Sequence, residues 1–331
     1  MIAGEPQRVA LANLPTPLIR LERLGQELDG AQIWMKRDDL TGLELSGNKV
    51  RKLEYVLAAA LADEVDTIVT EGTAQSNHCR ATAAACAKLG LHVMLLYRPH
   101  PSGEPQGNQL LDTLFGAEYR SYQVDEFRAR HDEIVQEVLA ELKTAGRRPR
   151  YTPAGSSEPL GCWGYIRAMA ELAEQMAVAN IDECDLVLPL SSGGTYTGAL
   201  LGQALHKLDE LRLLAVPVSD DVAYHQQAIR TLYTATSAQY EALGECKFGE
   251  LHLLDGYVGA GYAIPYESEL EAIRLLARVE GIMLDPVYTG KAFCALLDEI
   301  RAGRLGQRRP VIFLHTGGIF SNFAWPQTLL S

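Results

Sequence analysis

The chain has 331 residues, 47% hydrophobic and 22% charged, a composition that suits a folded globular protein with room for two domains. Its 30 Lys and Arg stand against 42 Asp and Glu, a net charge of −12, which argues against nucleic acid or an anionic membrane as the main partner. The opening MIAGEPQRVALANLPTPLI lacks the basic-then-apolar order of a secretion signal, and no apolar run approaches the roughly 18 residues of a membrane span.

In chain order, LELSGNKVRKLEY (43–55) places Lys49 where a Ser-Gly-Asn turn meets a helix, a position from which a side chain can enter a cleft. Val50, Leu53, Leu57 and Leu61 give that helix its period, and Arg51 and Lys52 read as charges on its solvated face. DTIVT (66–70) predicts a buried strand, and NHCRATAAACAKLG an alanine-rich helix stopped at Gly90. HVMLLY (92–97) is a second strand, and the Pro/Gly-rich YRPHPSGEPQGN (97–108) a loop within a domain. NQLLDTLFG and EYRSY repeat the helix–strand order, and DLVLPL (185–190), RLLAVPV (212–218) and PVIFLHT (310–316) are further buried strands. Helical stretches lie between the first two of these and before the third. Such alternation predicts parallel α/β sheets. No repeat or low-complexity tract interrupts the chain, and no single boundary divides it, so interleaved domains are expected. The cysteines at 79, 86, 162, 184, 246 and 294 form no CxxC pair, which disfavours zinc and dithiol sites and suggests reduced thiols in a cytoplasm.

Four segments can carry chemistry. LSSGGTYTG (190–198) follows a strand and precedes a helix; small residues there let several N–H groups converge on one phosphate, although a plain strand-to-helix turn would read the same way. It is neither a Walker A loop nor a GxGxxG fingerprint. In EGTAQSNHCRATAAA (71–85), Ser76, Asn77 and His78 stand where a strand gives way to a helix, the usual ligand position in open α/β sheets. Ser76 or Asn77 as a helix N-cap, with His78 facing solvent, is the competing explanation. LDPVYTGKAF (284–293) offers Tyr288 and Thr289 in a turn, with Lys291 read as a solvated helix residue. In FLHTGG (313–318) a buried strand runs out into His315, Thr316 and two glycines; His315 reads as structural and Thr316 as a ligand contact. A lysine that can be desolvated, a cup for one phosphate and hydroxyls at strand ends together suit pyridoxal 5′-phosphate. Its aldehyde forms an imine with lysine, and the lysine then serves as a base.

The chain resembles the D-cysteine desulfhydrase and 1-aminocyclopropane-1-carboxylate (ACC) deaminase family, within the tryptophan-synthase β-like, fold type II pyridoxal-phosphate enzymes. PTPLIRLERL, KRDDLTGLELSGNKVRKLEY, AQSNHCRATAAACAKLGLH, SSGGTYTG, GAGYAIP, DPVYTGKA and HTGG follow in the family's order over nearly the whole chain. Ser46 stands where Gly is usual, and the tail IFSNFAW differs from the commoner version. The resemblance implies two open, twisted, mainly parallel sheets flanked by helices, with the cofactor in the cleft between domains. The larger, cofactor-binding domain would take residues 1–51 and 166–331, and a smaller domain of 52–165 would close over substrate. It implies that Lys49 is the Schiff-base lysine, that Asn77 faces the cofactor's phenolic oxygen, and that Ser76 lies near the substrate carboxylate or α-proton, with Asn77 and His78 also on the substrate side. Ser192, Gly193, Gly194 and Thr195 would form the phosphate cup. Tyr262 and Tyr288 would be active-site tyrosines, and Thr316 the hydroxyl at the pyridine nitrogen with Thr289 beside it.

ACC deaminases in this resemblance carry Glu at the place of Thr289 and Leu at that of Thr316. A carboxylate near the pyridine nitrogen would keep it protonated and make a stronger electron sink, which opening a cyclopropane needs more than expelling thiolate does. Two neutral hydroxyls therefore favour β-elimination. The implied activity is a lyase acting on D-cysteine or a related β-substituted amino acid, cytoplasmic and a homodimer. ACC deaminase, cysteate sulfo-lyase, amino-acid racemase and a non-catalytic pyridoxal-phosphate-binding sensor are the alternatives.

Overall fold

The computed structural model describes residue 2, residues 4–98 and residues 104–330. Residues 99–103 of the Pro/Gly-rich segment lie outside them. Strands β1 (Leu18–Arg20), β2 (Ile33–Lys36), β3 (Thr67–Gly72), β4 (His92–Tyr97), β5 (Glu118–Ser121), β6 (Pro149–Tyr151), β7 (Cys184–Leu190), β8 (Leu211–Pro217), β9 (His252–Leu253) and β10 (Val311–Leu314) form two sheets. The six-stranded sheet has the order β1-β2-β10-β7-β8-β9 and the four-stranded sheet β5-β4-β3-β6. Every pairing is parallel except β1 with β2.

Side-chain alternation along the central strands feeds two cores, one on each face of the larger sheet. Leu186, Leu188 and Leu190 of β7 pack on one face with Ile312 and Leu314 of β10, under helices Pro159–Val178 and Gly194–Leu205. Val187 and Phe313 point to the other face, where helices Glu267–Glu280 and Thr289–Arg301 cover them. Strands buried on both faces must be apolar throughout, which is why DLVLPL and PVIFL were visible as runs. In the smaller sheet, the alanines of helix Asn77–Leu89 let it lie close against Ile68, Val93 and Leu95, and Gly90 ends that helix in the left-handed conformation.

The predicted strands and helices are present. Strands β1, β2, β6 and β9 were not predicted; at two to four residues each, they are too short to show a period.

Helix Lys49–Ala62 departs from expectation at two residues, Arg51 and Lys52, which are buried rather than solvated. The helix is packed on two sides, so it has no wholly solvated face there. Val50, Leu53 and Leu57 meet the smaller sheet's core. On the other side helix Pro159–Val178 comes so close that a Cβ on Gly164 would lie 2.6 Å from the Arg51 carbonyl carbon. Arg51 is held in a buried ionic network. Its Nε and Nη2 donate to the two oxygens of Asp38 at 2.8 Å each, and its Nη1 and Nη2 to Glu171 at 3.0 and 2.8 Å. Tyr165 donates to Asp38 at 2.5 Å, and Lys36 pairs with Glu171.

Candidate active site

The C-terminal ends of β3, β7 and β10 open on one cavity of about 820 Å³, as expected for open α/β sheets. Lys49 reaches it from the turn before its helix. That turn docks on the end of β10: Asn48 N–H donates to the Thr316 carbonyl at 3.1 Å. Gly47, at φ +105°, passes so close that a Cβ would lie 2.6 Å from the same oxygen. The Asn48 side chain donates to Thr195 Oγ1 at 2.9 Å, tying the lysine turn to the loop after β7. Lys49 is partly exposed on the cavity wall; desolvation there takes its amine down to about 8, opposed by the nearby Asp285 carboxylate.

Lys49, Ser76, Asn77, His78, Ser192, Gly193, Thr195, Tyr262, Tyr288 and Thr316 all line the cavity. Gly194 and Thr289 do not. Gly194 is the first residue of the helix after β7, and its N–H donates to Ser157 Oγ at 3.1 Å. The next two N–H groups, of Thr195 and Tyr196, have no partner among the described residues. That leaves an anion-sized group of donors at a helix N-terminus.

Beside this cup is Lys52. Its Nζ donates to the Gly155 carbonyl at 2.9 Å and would lie 3.1 Å from a Cβ on Gly194. It faces no carboxylate in any ion pair among the described residues, and burial, followed by repulsion from Lys49, pushes its pKa well below the ordinary lysine value. The sequence signal was its i+3 spacing from Lys49, which puts both side chains on one face of the helix.

Ser76 satisfies both readings of its segment: its Oγ accepts the Cys79 N–H as helix N-cap at 3.2 Å, and it lines the cavity. Asn77 Oδ1 accepts from Asn108 at 2.9 Å. His78 does not face solvent. It is buried, with Nε2 at 2.8 Å from Thr70 Oγ1. The Thr70 hydroxyl gives its own proton to the Thr152 carbonyl, so His78 Nε2 is the donor and the partnerless Nδ1 is bare. Burial, then Lys49 and Lys52, hold this imidazole neutral, far below the ordinary histidine value.

Tyr262 and Tyr288 share a hydroxyl–hydroxyl hydrogen bond with rings at 68°. Burial raises both above the ordinary tyrosine value, so both are neutral phenols. Lys291, expected in solvent, is buried: its Nζ donates to the carbonyls of Val258 and Gly261 at 2.7 and 2.8 Å. It fastens the segment bearing Tyr262 to the helix capped by Tyr288. The neighbouring Glu269 carboxyl is pushed up to about 8 by burial.

Thr289 corrects the sequence reading. Its hydroxyl donates to Asp285 Oδ1 at 2.6 Å and accepts the Asp285 N–H at 2.8 Å. Asp285 also accepts the N–H groups of Val287, Tyr288 and Thr289. A glutamate at 289 would confront this buried carboxylate. Of the two threonines only Thr316 offers its hydroxyl to the cavity, and that hydroxyl has no partner among the described residues. Asp285 itself escaped sequence reading because an acid before proline looks like an ordinary turn. His315 is structural: its ring bonds the Met283 carbonyl at 2.9 Å and the Gly317 N–H at 3.2 Å.

These features fit pyridoxal phosphate: a desolvated amine, a cup of unpartnered N–H groups backed by a second lysine without a counter-charge, and an unpaired neutral hydroxyl share one cavity. They define a pyridoxal-phosphate enzyme. The chain belongs to the family of pyridoxal-phosphate dependent enzymes, whose model matches residues 9–317. It is 38% identical over 324 residues to the D-cysteine desulfhydrase of Salmonella choleraesuis (strain SC-B67), covering 96% of each chain. The D-cysteine desulfhydrase of Salmonella paratyphi C (strain RKS4594) is 37% identical with the same coverage. A solved ACC deaminase homologue superposes with a TM-score of 0.89 at 36% identity, covering 99% of this chain and 97% of that one. The fungal L-serine ammonia-lyase of Rhizomucor miehei, at 16% identity and a TM-score of 0.67, shares the fold. The chain is thus a pyridoxal-phosphate-dependent lyase of the desulfhydrase and ACC deaminase group. Among the described residues no helix is long and apolar enough to cross a membrane.

Proposed function

We propose that the enzyme eliminates the β-substituent of D-cysteine or a related β-substituted amino acid. D-cysteine and water would yield pyruvate, ammonia and hydrogen sulfide. The observation that carries this is the Lys49 amine, poised near neutrality, in the same cavity as the anion cup and Thr316. Pyridoxal phosphate, when bound, supplies the electron sink for charge developing at the substrate's α-carbon.

Lys49 holds the cofactor and moves the α-proton. Ser192, Gly193 and Thr195, with the free N–H groups of Thr195 and Tyr196 and the Lys52 amine, hold phosphate, and Asn77 and Thr316 orient the ring. Ser76 and the first-turn N–H groups of Asn77 and His78, which have no partner among the described residues, receive the substrate carboxylate. Tyr288, bonded to Tyr262, delivers a proton to the leaving sulfur. Lys49→Ala lowers turnover by several orders of magnitude; borohydride reduction and peptide mapping that labelled Lys52 or Lys291 instead would refute the assignment.

The substrate is read from product release across D- and L-cysteine, D-serine, β-chloroalanine, cysteate and ACC. Faster release of 2-oxobutyrate from ACC than of pyruvate from D-cysteine replaces this reading with ACC deaminase. Inversion without release makes the protein a racemase, and cofactor absorbance without turnover makes it a sensor. Residues 52–165, which contain the whole four-stranded sheet, form the smaller domain in this reading, inserted in a larger one of 1–51 and 166–331. It closes on substrate, excluding water; an unchanged radius of gyration on adding a non-reacting amino acid argues against closure. In this reading the protein is a cytoplasmic homodimer, which cell fractionation and light scattering check.

A further inference from the structure

We propose that Arg98 receives negative charge on the substrate's side chain, so that the enzyme selects amino acids whose β-substituent is anionic: a sulfonate, a sulfate or phosphate ester, or a thiolate. The proposal rests on the lyase reading above and adds the chemistry of the group that leaves.

Arg98 follows β4 directly. Its N–H donates to the Gly72 carbonyl at 3.0 Å, beside the loop that carries Ser76. Its side chain lines the cavity, its Nε is buried without a hydrogen-bond partner, and it enters no ion pair among the described residues. An unpaired guanidinium partly withdrawn from water is costly, and an anion entering the cavity removes that cost.

Three other roles fit less well. Arg98 does not belong to the phosphate cup, which lies at the end of β7 in the other sheet. The substrate α-carboxylate already has Ser76 and two free N–H groups of a helix N-terminus. Among the described residues neither carboxylate of the wall, Glu71 or Asp220, forms an ion pair with Arg98. Glu71 accepts from Tyr151 at 2.8 Å and lies 3.1 Å from His131 Nε2. Asp220 is exposed and follows Ser219, which bonds Ser191 beside the cup. What remains for Arg98 is the end of the substrate opposite the cofactor phosphate. Arg98 lines the same cavity as Tyr262 and Tyr288, the pair assigned above to protonating the leaving group. Arg128, exposed on the same wall without an ion pair among the described residues, adds positive charge there in a chain of net charge −12.

For a sulfonate the reaction balances. The α-proton passes to Lys49, the Cβ–S bond breaks and sulfur keeps the electron pair. Released 2-aminoacrylate takes up water, so that cysteate and water give pyruvate, ammonium and bisulfite.

The test uses holoenzyme and two ligand pairs. Aspartate and asparagine differ by one charge at the β-position and carry no leaving group, so calorimetry reads recognition without turnover. Serine O-sulfate and β-chloroalanine, scored by pyruvate release, read the same preference in kcat/KM. The parent should bind aspartate at least about tenfold tighter than asparagine, as a charge-assisted contact implies. Arg98→Gln should abolish the preference and lower kcat/KM for serine O-sulfate by a similar factor, leaving β-chloroalanine within about threefold and the cofactor absorbance unchanged. Arg98→Lys should restore most of it. A parent without preference, or an Arg98→Gln variant that weakens both members of each pair equally, overturns the proposal. If the parent releases no pyruvate from β-chloroalanine, the elimination reading fails, and the aspartate–asparagine ratio still decides the role of Arg98.

Discussion

Replacing Lys52 with methionine separates two effects that one buried amine combines. Among the described residues Lys52 donates to the Gly155 carbonyl alone, and burial depresses its pKa well below the ordinary value. The unfolded chain binds that proton more tightly than the native one, so native stability rises with pH from the depressed pKa up to about 10.4. At pH 7 the native state loses about 1.4 kcal/mol for each pH unit between about 10.4 and either pH 7 or the depressed pKa, whichever is higher. Lys52→Met removes the cost and forfeits one hydrogen bond of about 1 kcal/mol. The first effect wins once the depression exceeds a single unit, so the cofactor-free variant should be more stable than its parent at pH 7, and the gain should fade towards pH 10.4. Cofactor affinity should move the other way. A charge-assisted hydrogen bond to phosphate contributes about 1.5–3 kcal/mol, so the variant should bind pyridoxal phosphate roughly 10- to 140-fold more weakly. Thermal unfolding of the cofactor-free protein between pH 6 and 10, with equilibrium titration of pyridoxal phosphate, checks both signs. Unchanged cofactor affinity would refute the placement of Lys52 at the cup. A fall in cofactor-free stability would refute the desolvation argument.

Two further outcomes rest on the same electrostatics. Capture of pyridoxal phosphate by the cofactor-free protein needs the neutral Lys49 amine, so its rate should rise as pH passes through about 8; Asp285→Asn removes the carboxylate that opposes desolvation and should shift that midpoint to lower pH, and a shift to higher pH contradicts the assignment. Arg51→Met strands Asp38 in the buried network and should destabilise the fold by about 3–5 kcal/mol in denaturant unfolding, whereas a loss below about 1 kcal/mol would show the network to be solvated.

Much of this protein was determined locally. Strands β3, β4, β7, β8 and β10 are apolar because parallel strands are covered on both faces, so they stand out as runs in the sequence. Lys49, the Ser76–His78 turn, the Ser192–Thr195 loop and Thr316 were legible because strand-to-helix junctions need small or capping residues at definite places. Ten of the residues singled out as site candidates do meet at one cavity.

What the sequence could not determine is which face of each helix is covered by a distant segment. Arg51, Lys52 and Lys291 look like ordinary surface charges, since helical spacing records only the residue's own helix. They are buried because helix Pro159–Val178, the segment around Gly155 and the loop at Val258–Gly261, each remote in sequence, pack over them. Thr289 has the right chemistry for a ligand contact, but the backbone between Pro286 and Gly290 turns its hydroxyl onto Asp285. Arg98 shows the converse. Nothing in its neighbourhood of sequence marks it, and only the convergence of β3 and β4 on the cavity leaves its Nε there without a partner among the described residues. Burial and pairing depend on contacts between segments far apart in the chain, so they were decided by the tertiary structure alone.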